Sequence, residues 1–369
     1  MEMTDKAKAY SREKHRLAII GLIFSPFMLS LFIILGFPPY IRYISSLVSS
    51  NDYINLLAFF SLMSLAYYIV RAPMAYYSDF ALEHKFSLSN QAFKDWVKKE
   101  AKKGIVSFII STPLIFSLYT FIRYWPLCWW LLAAILWFFT SILLAKFAPV
   151  FIVPLFYKYS PIKNKTLKDK LLKLASGAGF RVKDVYEINI SRDTKKANAA
   201  LMGIGKQKRI VLCDTLLENF NEDEIESVMG HELGHHKLRH LMKLISSEGI
   251  LTFVTFFITN MLFLRLHAAA GYTRLSDFES LVLIYAIMCV LGIFTLPLQN
   301  AFSRKLEKEA DLFTLETAGD NQAFISTMKK LAEQNLADTC PGKFYEIMLY
   351  THPPISRRIS FAESFKSIP

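Results

Sequence analysis

Six long apolar runs alternate with charged segments along this chain of 369 residues. Each run is long enough to cross, or nearly cross, the hydrocarbon core of a bilayer, which is about 30 Å thick. The runs occupy residues 17–36, 53–70, 104–122, 125–144, 249–264 and 281–298. A seventh run, residues 148–157, is shorter and contains Pro149 and Pro154, so we interpret it as interfacial or as an extension of the fourth span. The pattern predicts an all-α polytopic membrane protein with six transmembrane helices, or seven if the short run also crosses.

The polar regions predict a small α+β domain that is split by the last two spans. Residues 1–157 hold the first four spans and the polar loop 71–103, residues 158–247 the first part of the domain, residues 248–299 a membrane hairpin and residues 300–369 the second part. In the first part, residues 166–175 have helical periodicity, and residues 185–190, 199–204 and 209–213 resemble short strands, with a turn at 205–207. A further helix should begin after Asn221, where acidic residues occupy its positive end.

Composition and charge support a membrane protein. Hydrophobic residues make up 53% of the chain and the mean hydropathy is +0.29, which is high for a soluble enzyme. Loops rich in Lys and Arg alternate with loops that are poor in them, which places both termini and the polar domain on the cytoplasmic side. The net charge of +12 therefore has an explanation in the bilayer, and the sequence has no basic helix or aromatic platform for nucleic acid. The four cysteines form no CxxC pair, which argues against a thiolate zinc site.

The stretch His231–His235 reads HELGH and carries the clearest chemistry. Residues i and i+4 of a helix share a face, so the two imidazoles can bind one zinc ion while Glu232 acts on a zinc-bound water. The motif predicts a zinc endopeptidase with one Zn²⁺ per chain and a protein or peptide substrate. On a helical wheel, His236 and His240 lie about 140° and 180° from His231, so we expect them to face solvent or to support the site without binding metal.

A catalytic zinc site needs a third protein ligand and one open position. Glu307 and Asp311 lie four residues apart in the polar segment after the sixth run, and a hairpin of two spans returns this segment to the membrane face of HELGH. We expect Glu307 to bind zinc and Asp311 to accept the free N–H of a ligand histidine. Glu309 points about 200° away from Glu307 on the helical wheel.

Several spaced motifs resemble those of the type I CAAX prenyl endopeptidases, which are integral-membrane zinc metalloproteases of the gluzincin kind. The matching stretches are EHKFSLSNQ (83–91), PVFIVPLFYKYSP (149–161), ANA (197–199), KRIVLCDTLL (208–217), HELGH with its helix, SRKLEKEAD (303–311), and HPP (352–354) followed by RI (358–359). The resemblance covers about residue 50 to the C-terminus. It implies a ring of helices around an intramembrane chamber, capped by the protease domain.

The resemblance also implies roles for the matching residues. His231, His235 and Glu307 would bind zinc, and Glu232 would activate water and then pass the proton to the leaving amine.

Substrate contacts are implied in the same way. Asn198 and Ala199 would lie on an edge strand that pairs with the substrate backbone. His352 would stabilise the oxyanion or the substrate carbonyl, and Arg358 would support the site.

The chain also departs from eukaryotic members of that family. It has six spans where they have seven, a shorter N-terminus and no C-terminal retrieval signal for the endoplasmic reticulum. These features favour a bacterial relative in the inner membrane, with the protease domain in the cytoplasm; the endoplasmic reticulum membrane is the alternative. The expected substrate is a membrane-associated protein, lipidated or not. An HtpX-like membrane-protein quality-control protease is an alternative function, and a non-catalytic scaffold with structural zinc is an alternative of another class, although structural zinc normally has four protein ligands.

Overall fold

The computed structural model describes residues 3–202, 208–318 and 320–365. Its helices are α1 (Asp5–Ile34), α2 (Phe37–Ser46), α3 (Asp52–Tyr76), α4 (Leu82–Lys85), α5 (Phe93–Tyr124), α6 (Trp129–Phe147), α7 (Val153–Phe156), α8 (Lys165–Gly177), α9 (Asp214–Asn219), α10 (Glu222–Lys237), α11 (His240–Leu266), α12 (Phe278–Ala318), α13 (Asn321–Gln334), α14 (Lys343–Leu349) and α15 (Ile355–Ser364). The π-helical turns Tyr77–Ala81 and Ala148–Ile152 join α3 to α4 and α6 to α7.

Six helical stretches are long and apolar enough to cross a membrane, and they coincide with the six apolar runs. Only 11–33% of the most apolar 18-residue window of each stretch is buried within the chain, so most apolar side chains are available to lipid. The short run 148–157 continues α6 through a π-helical turn into α7, which confirms its interpretation as an extension of the fourth span. The central chamber stays a prediction.

Aromatic packing holds the membrane helices together. Trp129 at the start of α6 and Phe263 near the end of α11 are fully buried and meet edge to face, with their ring centroids 5.8 Å apart. At the same end of the bundle, Arg42 of α2 lies 3.0 Å from the buried carboxylate of Asp277, and this ion pair joins α2 to the start of α12.

The polar domain contains a four-stranded mixed sheet. Strands β1 (Tyr159–Pro161), β2 (Val182–Ile188), β3 (Ala199–Met202) and β4 (Lys208–Cys213) are arranged in the order β1-β2-β4-β3. Strand β4 is parallel to β2 and antiparallel to β3. The three predicted strands are thus present, whereas β1 was missed because three residues carry too little periodicity. The predicted turn at 205–207 and the end of its preceding strand lie outside the described residues.

Helices α8 and α10 pack on the sheet as their apolar stripes require. Their fully buried side chains Leu171 and Met229 share a core with Val185 of β2 and Ile210 of β4. The helix predicted for residues 166–175 is α8. Residue 300, where the second part of the polar domain was expected to begin, lies inside α12, so one continuous helix joins the last span to the protease domain.

The start of α1 ties the N-terminus to the polar domain. The Tyr10 hydroxyl donates a hydrogen bond of 2.7 Å to Glu83 of α4. His15 lies 2.8 Å from the hydroxyl of Tyr350, which follows α14. The N-terminus, the loop after the second span and the second part of the polar domain therefore lie on one side of the membrane helices.

Candidate functional site

A capping box fixes the start of the HELGH helix. The Asn221 side chain accepts the backbone N–H of Glu224, and the Glu224 carboxylate accepts that of Asn221. Glu224 is buried and also bonds Ser326 (2.6 Å) and Lys330 (2.7 Å) of α13. Burial opposes ionisation of this carboxyl, but the hydrogen bonds from Lys330 and Ser326 outweigh it and lower its pKa. The same contacts dock α13 against α10.

Two glycines let α10 approach α12 closely. A Cβ atom built on Gly234 would lie 3.2 Å from the Cα and carbonyl oxygen of Ala310, and one on Gly230 would lie 3.1 Å from Thr314. These separations are tight for a methyl group, and the Ala310 atoms belong to backbone that cannot rotate away. Glycine in HELGH therefore sets the distance at which α12 presents its carboxylates to the two histidines.

The side chains of three potential metal ligands converge between these helices. The Nε2 atoms of His231 and His235 are 3.1 Å apart, and they lie 3.1 and 3.4 Å from the two carboxylate oxygens of Glu307. Ligand atoms around tetrahedral zinc, with bonds of about 2.0–2.1 Å, lie about 3.3 Å from one another. The predicted set His231, His235 and Glu307 is thus brought together with the spacing that a zinc ion requires.

A buried ion pair between Asp311 and Arg358 contacts the Nδ1 side of the His231 ring. The Nδ1 atom lies 2.9 Å from the Asp311 carboxylate, which in turn accepts two hydrogen bonds, of 2.6 and 2.8 Å, from the Arg358 guanidinium. Burial opposes the charge on His231, but the hydrogen bonds with Asp311 and Glu307 raise its pKa to about 9. The charged ring carries a proton on each nitrogen, and a metal ion in place of the Nε2 proton would leave the Nδ1 proton directed at Asp311. Lone pairs that face one another at 3.1 Å repel unless a cation or a proton lies between them, and a metal ion fits this donor set.

Glu232 lies close to His231, His235 and Glu307 but makes no hydrogen bond or ion pair with them. Its side chain is half-buried, and it makes no ion pair with another described residue. Burial raises the pKa of its carboxyl, against the opposing charges of His231 and His235. A carboxylate with a raised pKa is a stronger base, and this one has oxygens free to accept a proton from water.

His352 also lies next to Glu307. It lies in the loop before α15, and its Nε2 is 3.2 Å from a Glu307 oxygen while 54% of the side chain is exposed. An exposed imidazole beside the donor cluster can reach a group bound there. Burial of part of the ring lowers its pKa, which favours the neutral form.

Asn198 and Ala199 lie where β3 begins, at the open edge of the sheet. Asn198 is exposed, and its carbonyl accepts the N–H of Cys213 on β4. Further along β3, the Leu201 carbonyl accepts a hydrogen bond of 3.0 Å from His236 of α10. The strand thus runs beside the HELGH helix, with an outer edge that another strand could join.

For His240 the sequence left solvent exposure and support of the site as alternatives, and solvent exposure is wrong. His240 is 1% exposed, and its Nδ1 lies 2.9 Å from Nδ1 of His235. The helical wheel failed because α10 ends at Lys237, and Arg239 turns the chain with a left-handed conformation (φ 55°) before α11 begins. Glu309 also belongs to this group, at 3.2 Å from Nε2 of His240.

The stretch 83–91 has a structural role that the sequence did not reveal. The buried Glu83 carboxylate pairs with Lys14 of α1 (2.7 Å) and with Lys196 (2.9 Å), two residues before Asn198. Ser89 forms a β-bridge with Thr194. These contacts hold the segment that leads into β3. The partners are distant in the sequence, and Lys14 and Lys196 lie outside the matching stretches, so the sequence held no signal for these contacts.

Comparisons with known proteins agree with this geometry. Residues 161–366 match peptidase family M48, and residues 1–158 match the family described as CAAX prenyl protease N-terminal, five membrane helices. The uncharacterized metalloprotease YhfN of Bacillus subtilis is 30% identical over 372 residues, which cover 98% of this chain and 86% of YhfN. The CAAX prenyl protease 1 homolog of Arabidopsis thaliana is 28% identical over 97% of this chain and 87% of its own length.

A solved structure extends the likeness to the fold. The crystal structure of Ste24p from S. mikatae superposes with a TM-score of 0.82 and 26% sequence identity, covering 96% of this chain and 87% of that one. The six membrane helices, the small mixed sheet and the HELGH helix therefore occur together in a known architecture. The chain belongs to peptidase family M48 and is a multi-pass membrane metalloendopeptidase of the CAAX prenyl protease type.

Proposed function

We propose that the metal is zinc and that His231, His235 and Glu307 are its protein ligands. The observation that carries this proposal is the convergence of two imidazole nitrogens, 3.1 Å apart, on the Glu307 carboxylate, whose two oxygens lie 3.1 and 3.4 Å from them. Two imidazoles and one carboxylate form a typical catalytic zinc set, with a fourth position left for water or substrate. When bound, zinc would polarise the substrate carbonyl and acidify a water molecule.

The remaining residues position the substrate and move protons. Glu232 takes a proton from the attacking water and delivers it to the leaving amine. His352 donates a hydrogen bond to the oxygen on which charge develops. Arg358 acts through Asp311, which fixes the ring of His231 in the orientation that directs Nε2 to the metal.

The substrate backbone binds as an additional strand along β3. Asn198 and Ala199 begin this edge strand, and an extended peptide would pair with its outer edge there, whereas the Leu201 carbonyl further along already accepts a hydrogen bond from His236. The substrate is a membrane-associated protein that carries a lipid near the cleaved bond. Support for this proposal comes from the family and from α12, a single helix that runs from the last span to Glu307.

The protease domain faces the cytoplasm, because the basic loops lie on its side of the membrane helices. Lys14, Lys98 and Lys102 belong to segments on that side, whereas the loops at the other end have few cations. We assign the protein to a bacterial inner membrane.

Glu232→Gln tests the reaction and the substrate together. The native protein and this isosteric variant are purified, their zinc content is measured, and both are given a farnesylated peptide and the same peptide without the lipid. We expect equal zinc in both proteins and cleavage by the native one alone, with preference for the lipidated peptide. Cleavage that survives the substitution contradicts the role of Glu232. Equal turnover of the two peptides contradicts lipid recognition and favours membrane-protein quality control.

A further inference from the structure

His240, which is buried, and the partly exposed Glu309 form a hydrogen-bonded chain behind His235, the second histidine of HELGH. Nδ1 of His240 lies 2.9 Å from Nδ1 of His235, and Nε2 of His240 lies 3.2 Å from Glu309. The same Glu309 oxygen is 2.7 Å from the Lys243 ammonium. The rings of His235 and His240 are nearly perpendicular, at 77°.

With both imidazoles neutral, only one proton arrangement satisfies every atom of this hydrogen-bonded chain. Two nitrogens 2.9 Å apart share one proton. If His240 donated that proton, its own Nε2 would direct a lone pair at the Glu309 carboxylate, and two acceptors would face each other. If His235 donates it, His240 Nε2–H donates to Glu309 and all three groups are paired. His240 is 1% exposed, so water cannot supply the missing donor in the first arrangement.

We propose that His240, oriented by Glu309, is a positioning residue that fixes His235 as the tautomer with its proton on Nδ1 and its Nε2 lone pair directed at the metal. A single carboxylate, that of Asp311, orients the ring of His231. The ring of His235 is instead oriented by the neutral imidazole of His240, which is itself oriented by the carboxylate of Glu309. The left-handed turn at Arg239 makes this possible, because it returns His240 towards the helix that it has just left. This inference rests on the proposed zinc site but requires no assumption about the substrate.

Zinc affinity tests the proposal directly. The dissociation constant is measured by competition with a chromogenic chelator for purified full-length protein and three variants. His240→Leu removes the acceptor and should weaken zinc binding about 10–100-fold, the usual effect of losing the partner of a ligand histidine. His240→Asn keeps an acceptor at the δ position and should restore most of the affinity. His236→Leu is the matched control, because His236 bonds the Leu201 carbonyl instead of a ligand histidine, and it should bind zinc as the native protein does.

Cobalt spectra separate positioning from ligation. The visible absorption bands of the Co²⁺-loaded protein should keep their positions in His240→Asn, since the three ligands are unchanged. Displaced bands would identify His240 as a ligand and overturn the proposal. His240→Leu that binds zinc as tightly as the native protein, or His240→Asn that loses as much as His240→Leu, would also overturn it.

Glu309→Gln is a second variant that tests the proposal if His240→Leu does not fold. Glu309 is about one-third exposed, so this variant should fold, and its zinc affinity should fall several-fold because an amide tolerates either tautomer of His240. Unchanged zinc affinity in Glu309→Gln would show that Glu309 does not orient His240. If the native protein itself binds no zinc, the proposed function fails; if it binds zinc and the variants do too, only the present inference fails.

Discussion

Asp311 and His231 meet at 2.9 Å with the Arg358 guanidinium closing the other side of the carboxylate. Asp311→Asn removes the charge that orients the ring and leaves Arg358 buried without a counter-ion. We expect zinc affinity to fall about 10–100-fold and the free energy of unfolding to fall by about 3–5 kcal/mol. Chelator competition and thermal unfolding in detergent measure the two effects. Unchanged zinc affinity would show that Asp311 serves only to balance Arg358.

Gly234 sets the separation of α10 and α12, because a Cβ atom there would lie 3.2 Å from the Ala310 backbone. Gly234→Ala should push the helices apart by a few tenths of an ångström, and Gly234→Val by more, so zinc affinity and peptide cleavage should fall in that order. Such overpacking typically costs about 1–3 kcal/mol of stability. Gly177→Ala in α8 is the control, since a methyl group there meets open space. Native zinc affinity in Gly234→Val would contradict this role of the glycine.

Glu83 connects α1 to the segment that leads into β3. Glu83→Gln leaves Lys14 and Lys196 without their shared counter-ion, and the start of β3 should become less ordered. We expect a several-fold rise in KM for the peptide with little change in zinc affinity. Asp79→Asn, an exposed change nearby, is the matched control. A fall in kcat with unchanged KM would count against a role in holding the substrate strand.

Glu224 should make the stability of the protease domain depend on pH. Its pKa is lowered in the folded protein, so its contribution is complete above the ordinary pKa of a glutamate and is lost as the pH falls through the lowered value. Glu224→Ala should cost about 2 kcal/mol at neutral pH, and the difference from the native protein should shrink in acid. Thermal unfolding at several pH values measures it, with the exposed Glu218→Ala as control. A difference that does not change with pH would contradict the ionic role.

The sequence was sufficient for what depends on local periodicity. The six spans follow from the length of the apolar runs, and α8, α10 and the pairs His231–His235 and Glu307–Asp311 follow from the 3.6-residue period of a helix. It was insufficient where the chain breaks that periodicity, as at Arg239, which brings His240 to His235 against the helical wheel. It was also insufficient for the Glu83–Lys196 pair, whose members are joined only by tertiary packing. The roles of Asn198 and His352 stay predictions that rest on the family and on their positions at the sheet edge and beside Glu307.

Removal and return of the metal test the central claim most directly, namely that one zinc ion held by His231, His235 and Glu307 is required for peptide cleavage. The native protein and Glu307→Gln are stripped of metal with a chelator, assayed with the farnesylated peptide, and assayed again after one equivalent of Zn²⁺ is added. The account predicts that the stripped native protein is inactive and recovers with one bound zinc per chain, while Glu307→Gln binds zinc weakly and recovers little. Full cleavage by the zinc-free native protein, or full recovery of Glu307→Gln, would contradict it.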